Sequence, residues 1–520
     1  MRTPCDEAAM LSANAGPPPG AQARTWILVA TILGSSMAFI DGTVVNVALP
    51  ALQGTFHATV VDVQWVIEAY GLFLGALILV GGSFGDLFGR RLVFVIGVAI
   101  FALASAGCGL ASSIHQLIIA RSVQGIGAAL LVPGSLAIIS TSFDHKERGQ
   151  AIGTWSGFTA ITTAIGPVLG GWLVTHATWR WVFFINLPLA LAVVAISLWR
   201  IPESRNASAE RVDWVGALLA TIGLGGTVTG LMESVNEGWG NPLVYGSLIL
   251  GFACLAAFVF FEAHVASPML PLELFRSRNF AGANLLTLFL YSAIGIFFFL
   301  FLLNLIQVQG YSATAAGAAV LPLILLIFFL SRWSGGLVAH YGPRIPLIAG
   351  PLIAAVGFAL FAVPSVGGGY WKSLFPAVMI LGFGMAVTVA PLTTVVMNSV
   401  GQERVGSASG INNAVARVAG VLSIAVFGIV MLKAFSSRLN SSLGHLSLPP
   451  AVLQQFQANE IKLAGMPIPS GLGNKAAVEA SVKEAFVFGF RIVMLSCAAL
   501  SAASAAVAWL LIRNDPETRR

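Results

Sequence analysis

Fourteen stretches of mainly apolar residues recur along this 520-residue chain, at 26–50, 65–84, 92–111, 117–140, 151–174, 181–199, 214–232, 243–261, 280–303, 315–339, 347–363, 374–400, 408–432 and 487–512. A helix of about 17 to 25 residues spans the hydrocarbon of a bilayer, and these runs have that length. Inside hydrocarbon each backbone N–H and C=O must be satisfied within its own segment, so long apolar runs of this kind fold as helices. The expected fold class is therefore an all-α membrane protein. With 57% hydrophobic and only 9% charged residues, a soluble enzyme and a disordered chain are both excluded.

The basic residues test this reading independently. Sixteen Lys and Arg residues fall in the tails and in alternate loops, from Arg2 and Arg24 through Arg90, Arg91, Arg205, Arg276 and Arg344 to Arg519 and Arg520. The short intervening loops hold only Arg180 and Lys372. Cytoplasmic loops carry the Lys and Arg excess, so both termini are expected in the cytoplasm, at the cell inner (cytoplasmic) membrane, and the number of spans is expected to be even. The net charge of +6 is thus topology, and nothing points to nucleic acid. Residues 433–484 carry further basic residues, but long loops translocate regardless of charge. Their Pro, Ser and Gly content predicts a mobile outer loop.

A repeat organises the runs. Gly82 and Gly89 after the second run match Gly335 and Gly342 after the tenth, and Arg91 matches Arg344. Gly125 and Gly127 in the fourth run match Gly382 and Gly384 in the twelfth. The organisation expected is a tail (1–25), a six-helix bundle (26–200), a linker with an inserted helix pair (201–279), a second six-helix bundle (280–512, with the outer loop 433–484) and a tail (513–520). Repeated halves meeting around a midplane site are the architecture of secondary transporters. Residues 267–279, with Pro268 and Pro271, read as a connector on the cytoplasmic surface.

Charges inside the runs single out function, because an ionised group at membrane depth costs several kcal/mol and must face a polar cavity, find a partner or change its protonation. Asp41 is a candidate proton site, with a structural ion pair as the alternative. Arg121 cannot shed its proton, so it needs a carboxylate, hydrogen-bonding neighbours or water. Val378 occupies its place in the second half. Glu68 either joins Asp41 in the cavity or sits near the outer interface. Arg417 and Arg332 either bind anionic substrate groups or snorkel. Asn46, Gln124 and Arg417 are the candidate substrate contacts. No GxxxxGK[ST] motif marks ATP as the driver. The histidines and the dispersed Cys5, Cys108, Cys254 and Cys497 form no metal-ligand or disulfide pattern, so no metal and no cofactor are expected. Gly81-Gly-Ser83-Phe-Gly85 matches a nucleophile-elbow pattern but lacks its strand-turn-helix setting, and the chain is not read as an enzyme.

Several of these segments resemble the major facilitator superfamily. The loop through Gly82, Asp86, Gly89, Arg90 and Arg91 is similar to its signature between the second and third helices, with Leu87 where the pattern often has Arg. The resemblance implies that Asp86 latches the two halves on the cytoplasmic side when the cavity opens outward. Ala339 replaces this Asp in the second half. Arg121 through Gln124, Gly125 and Gly127 resembles the fourth-helix signature of proton-coupled exporters, which implies that Arg121 couples proton movement to conformational change. Gly153, Gly166-Pro167 and Gly170-Gly171 resemble the Gly-rich antiporter signature, which implies a dry, pliable seal at the closed end of the cavity. Thr162 stands where one Gly is expected. The segments 41–50 and 179–188 resemble the fourteen-helix drug:proton antiporter family in particular.

The expected function is proton-coupled antiport of small amphipathic organic compounds, that is multidrug efflux by alternating access, with protonation of Asp41 releasing a cationic or polar substrate outward. The alternatives are a nutrient symporter, disfavoured by the 153–171 pattern, and a membrane sensor or scaffold. The expected partners are protons, a small-molecule substrate and the lipid bilayer. A monomer is expected, and a periplasmic adaptor is left open.

Overall fold

The computed structural model describes residues 21–143, 145–205, 213–265, 268–367, 369–400, 405–446, 448–469 and 474–514. The helices are α1 (Ala21–Phe56), α2 (Val60–Phe88), α3 (Arg90–Leu110), α4 (Ile114–Ser142), α5 (His145–His176), α6 (Trp181–Phe184), α7 (Asn186–Arg200), α8 (Trp214–Asn236) and α9 (Pro242–Glu262). They continue with α10 (Arg278–Leu303), α11 (Ala313–Tyr341), α12 (Arg344–Leu360), α13 (Tyr370–Ser373), α14 (Phe375–Asn398), α15 (Val405–Gly444), α16 (Pro450–Asn459) and α17 (Lys475–Leu511). Each predicted run lies on this set, the sixth on α6 and α7 together. Among the described residues, twelve helices are long and apolar enough to cross a membrane. The two remaining runs fall on α12, which is apolar but only 17 residues long, and on α5, which is rich in Gly and Thr.

Helix starts are written locally. Thr59 and Asp62 form a capping box at α2, and Ser113, Asn241, Ser277 and Ser312 cap α4, α9, α10 and α11. Each cap oxygen accepts a hydrogen bond from an amide that the helix itself leaves unpaired. The connector before α10 folds as a short 3-10 turn, Leu272–Arg276, with Leu274 buried.

The repeat is visible in the packing. A Cβ on Gly127 of α4 would lie 2.5 Å from the Phe101 nitrogen and 2.9 Å from the Gly97 oxygen of α3. A Cβ on Gly384 of α14 would lie 2.4 Å from the Ala354 nitrogen and 2.8 Å from the Gly350 oxygen of α12. Two helix pairs, one in each half, therefore cross backbone to backbone at matching glycines. The inserted helices α8 and α9 pack on each other, and α8 lies against α2 and α15 through Leu72, Ala76, Val228, Met232, Val421 and Ala425.

The halves merge at the end that carries the C-terminus of α1 and the N-terminus of α2. One apolar core there joins Val44, Leu52 and Val63 of the first half to Phe297, Leu300 and Leu323 of the second. The expectation of a mobile loop over residues 433–484 is corrected. Within it, α15 runs on to Gly444, α16 and the 3-10 turn Glu460–Gly465 follow, and α17 starts at Lys475. Phe456, Leu463 and Met466 are buried in that same core. Gln53 of α1 donates to the Lys462 carbonyl at 3.2 Å, and Gln307 donates to Gln53 at 2.9 Å, so the segment ties both halves together. Its Phe, Leu and Met side chains had a core to enter, which the count of loop-forming residues could not reveal.

Candidate functional site

Asp41 lies on α1, buried, among four neighbouring helices of its own half. Arg121 of α4 donates to its Oδ2, Gln124 one turn further donates to Oδ1 at 2.8 Å, and Asn186 at the start of α7 donates to Oδ1 at 3.2 Å. Ser105 of α3 closes the ring: it accepts from Gln124 at 3.3 Å and from Asn186 at 3.0 Å, and gives its own proton to the Phe183 carbonyl at 2.9 Å. Arg121 spends its other donors on Gln124 Oε1 at 2.7 Å and on the Val66 carbonyl at 3.0 Å, and its guanidinium stacks 4.3 Å from the Tyr70 ring centroid. A buried ion pair survives only when much of its remaining hydrogen-bonding capacity is met, and here Asp41 accepts three hydrogen bonds while Arg121 makes two beyond the ion pair. Among the described residues the Asn186 Oδ1 atom has no hydrogen-bond partner.

The arrangement fixes the predicted residues unequally. Asp41, Arg121 and Gln124 come together. Gln124 therefore belongs to the charged cluster, and its amide is used up there rather than turned to a substrate. Asn46 is half-buried and lies apart from the cluster, its side-chain nitrogen donating to the Gly42 carbonyl of its own helix at 3.2 Å. Glu68 is fully buried, and among the described residues both of its carboxyl oxygens are without a hydrogen-bond partner. It lies on α2 between Gln64, which faces Gly428, and Gly71, which faces Val421, along the contact with α15. Arg417 sits mid-helix on α15, against Gly75 of α2 and 5.7 Å from the Phe39 ring centroid, too deep to snorkel. Arg332 and Ala339 have side chains outside the described residues.

In the loop after α2, Asp86 bonds Arg90 of the same half at 2.7 and 2.9 Å, so it does not bridge the halves in this conformation. Gly89 has φ of +118°, and a Cβ there would strike Glu203 at 2.7 Å. That carboxylate accepts from the Arg91 and Leu92 amides at 3.1 Å and so caps α3 from the end of the half, while Arg91 donates to the Ile201 carbonyl. Gly82 has only Pro133 nearby.

The Gly-rich stretch of α5 is wedged between α1 and α11. Gly166 and Gly170 face Thr43 and Val44 of α1, whereas a Cβ on Gly171 would lie 2.4 Å from the Ala313 oxygen of the other half. From that side, a Cβ on Gly317 would lie 2.1 Å from the Pro167 oxygen. Small residues let helix backbones approach this closely. Thr162 satisfies its hydroxyl on the Thr159 carbonyl at 3.0 Å. The surroundings of Gly153 lie outside the described residues.

Sequence reasoning missed Ser105, Asn186, Tyr70, Glu203 and Gly317 as members of these arrangements. Ser105 and Asn186 were discoverable as polar residues within apolar runs. Gly317 and Glu203 act through neighbours far away in sequence, and no local signal marks them.

The family model described as Major Facilitator Superfamily matches residues 31–424. The chain is 33% identical over 504 residues to the multidrug resistance protein Stp of Mycobacterium tuberculosis (strain CDC 1551 / Oshkosh), covering 94% of this chain and 92% of that protein. It is 31% identical to the tetracenomycin C resistance and export protein of Streptomyces glaucescens, covering 97% and 94% of the two chains. With the puromycin resistance protein pur8 of Streptomyces alboniger the identity is 35% over 80% of this chain and 83% of that one. The fold matches a bacterial homolog to the human lysosomal transporter Spinster in an inward-facing, unoccupied conformation, with a TM-score of 0.67 at 17% identity over 96% and 100% of the two chains. On this evidence the chain is a multi-pass membrane protein that belongs to the Major Facilitator Superfamily, a family of transporters.

Proposed function

We propose that this protein exports small amphipathic organic compounds in exchange for protons by alternating access. The observation that carries the reading is the Asp41 carboxylate, buried within membrane-spanning helices and held by Arg121, Gln124 and Asn186. Relatives bearing the names of drug resistance and export proteins support it.

The proton and the conformational change meet on one helix. When Asp41 takes up a proton, its attraction for Arg121 falls, and the new hydroxyl needs an acceptor. Asn186 Oδ1, without a hydrogen-bond partner among the described residues, becomes that acceptor after a rotation of the amide. The change lies next to Thr43 and Val44, which press on Gly166 and Gly170, and α5 in turn presses on α11 of the other half. Release at Asp41 thus loosens the seal between halves from the α1 side. Glu68, buried at the α2–α15 contact, is the second carboxyl assigned to proton traffic. The Asp86 loop latches the opposite end when the halves rock. Each proton moving down the membrane potential contributes about 2.3 kcal/mol per 100 mV, enough for roughly 50-fold accumulation of an uncharged cargo. The protein acts as a monomer in the inner membrane with both termini in the cytoplasm.

Everted vesicles test this with dye efflux measured with and without a protonophore. Wild-type transport should collapse with the proton gradient. The variant Asp41→Asn should express normally and show no proton-linked transport. Uphill efflux by that variant would refute the assignment.

A further inference from the structure

Two guanidinium groups lie deep in the membrane-spanning helices, and they are treated in opposite ways. Arg121 donates to a carboxylate, an amide oxygen and a carbonyl. Arg417 has no carboxylate and no hydrogen-bond acceptor among the described residues, and its one recorded partner is the face of Phe39.

Its position is between the halves. Arg417 belongs to α15 of the second half, its Cβ lies 3.3 Å from where a Gly75 side chain would begin, and Phe39 belongs to α1 of the first half. Arg417, Phe39 and Tyr291 of α10 all stay partly open although they sit mid-helix, and Asn413, one turn before Arg417, is exposed. Phe39 packs edge-on against Trp155, which anchors its ring nitrogen on Ser35 at 3.1 Å. Ser292, the residue after Tyr291, donates to the Ala419 carbonyl at 3.2 Å and so holds α10 against this turn of α15. The result is a partly open cation beside an aromatic ring, between the halves and without a counter-ion among the described residues. A guanidinium cannot discharge itself, and away from bulk water it strongly favours an anion that it can bind through two parallel hydrogen bonds. The acidic side chains facing this region from the packed helices are Asp41, already neutralised by Arg121, and Glu68, which is fully buried at the α2–α15 contact.

We infer that Arg417 is the anchor of the substrate site and that the preferred cargo is an amphipathic aromatic compound bearing an acidic group, a carboxylate, sulfonate or phenolate. The ring system stacks on Phe39 and Tyr291, and the acidic group meets the guanidinium. This rests on the proton-antiport reading and narrows it from amphipathic compounds in general to acid-bearing ones. It also places the cargo near the proton site, because the Tyr70 ring lies under Arg121 while its hydroxyl donates to the carbonyl of Ala38, the residue before Phe39, at 3.1 Å. Exchanging one proton inward for one anion outward moves net charge, whereas exchanging it for a monovalent cation does not.

The test uses the purified full-length protein with two probes, the anion 8-anilinonaphthalene-1-sulfonate and the cation tetraphenylphosphonium. Equilibrium binding is measured in detergent. Uptake is measured in proteoliposomes under an imposed pH gradient, with and without a potassium-diffusion potential. Wild type should bind the sulfonate more tightly, and an added potential should speed its transport. Arg417→Gln should weaken sulfonate binding about tenfold or more and leave the phosphonium probe within about twofold, while Arg417→Lys, which keeps the charge without the planar fork, should fall between. Thermal melting of the variants controls for folding. Equal loss of both probes, or unchanged sulfonate binding in Arg417→Gln, would overturn the inference. Proton-driven phosphonium transport that survives this substitution would overturn the cargo class and leave antiport standing. Arg417-dependent sulfonate binding with no gradient-driven transport of either probe would uphold the site and remove the antiport reading.

Discussion

The two halves share a scaffold and differ in charge. Gly127 and Gly384 seat α4 on α3 and α14 on α12 through the same backbone crossing. Gly89 and Gly342 both have positive φ, and each turn is closed by a side chain from just beyond the last helix of its half, Glu203 in the first and Asn514 in the second. Upon that common frame the first half carries Asp41 with Arg121, Asp86 with Arg90 and Glu203, while the second has Val378, Ala339 and Asn514 at the matching places. The crossing is needed twice because packing is needed twice. The ionisable machinery is needed once, and the other half is free to be apolar where it packs. In the second half Arg417 faces across to the first half instead of into its own bundle.

The difference can be broken from either side. Arg121→Leu would strand Asp41 in its buried ring, and Val378→Arg would place a cation in the second half where no acid waits. Each should lower stability by about 3–5 kcal/mol, because a buried charge left without its partner loses most of what offset its desolvation. Thermal melting in detergent reads this directly, with Val378→Leu as the near-neutral control. The paired change Asp41→Asn with Arg121→Gln should cost clearly less than the two single changes added together. Simple additivity would mean that the ion pair is not the unit it looks to be.

A smaller effect is expected where the halves touch. Gly317→Ala and Gly171→Ala put a methyl group 2.1 and 2.4 Å from backbone oxygens of the opposite half, atoms that cannot swing aside. The penalty of about 1–3 kcal/mol falls on the conformation closed at this end, and so shifts the population of states by roughly 5–150-fold toward opening there. Distance measurements between spin labels across the end of α1 and the start of α11 should lengthen. Gly82→Ala, whose nearest neighbour is Pro133 at 3.8 Å, should leave those distances unchanged.

What the sequence disclosed follows the same division between local and distant causes. Run length sufficed for the helices and their order because it is a local property, and the glycine echoes disclosed the repeated crossing because the same short pattern is written twice. The pairing of Asp41 with Arg121 was reachable, since two opposite charges stranded in apolar runs need each other. The closing roles of Ser105 and Asn186 were not, because a polar residue in an apolar run does not say which helix it will face. Residues 433–484 misled for a related reason. Loop-like composition was legible, but the buried Phe456, Leu463 and Met466 depend on a surface offered by both halves.

The two capped turns give the next comparison. Gly89→Ala and Gly342→Ala should each destabilise by about 1–3 kcal/mol, since a residue with a side chain is strained at φ of +118° or +73°. The first should be the larger, because the added methyl would meet a carboxylate that is capping α3 while the second meets a neutral amide. Thermal melting of the two variants side by side checks the order, and a larger effect at Gly342 would contradict the assigned role of Glu203.

The smallest and most discriminating test exchanges the caps themselves. Glu203 places a negative charge at the N-terminus of α3, where unpaired amides and the helix dipole favour it, and it lies 3.7 Å from Arg91. Glu203→Gln keeps the shape and removes the charge, so stability should fall by about 0.3–1 kcal/mol. Asn514 accepts from the Arg344 amide at 3.3 Å at the N-terminus of α12. Asn514→Asp adds the charge that the second half lacks, and stability should rise by a similar amount. Both changes should shrink as salt is raised, because the sites are exposed enough to be screened. Opposite signs that converge in high salt would show that the second half gave up a usable charge at this turn. Equal signs would mean that the two turns, alike in backbone, are held by different forces.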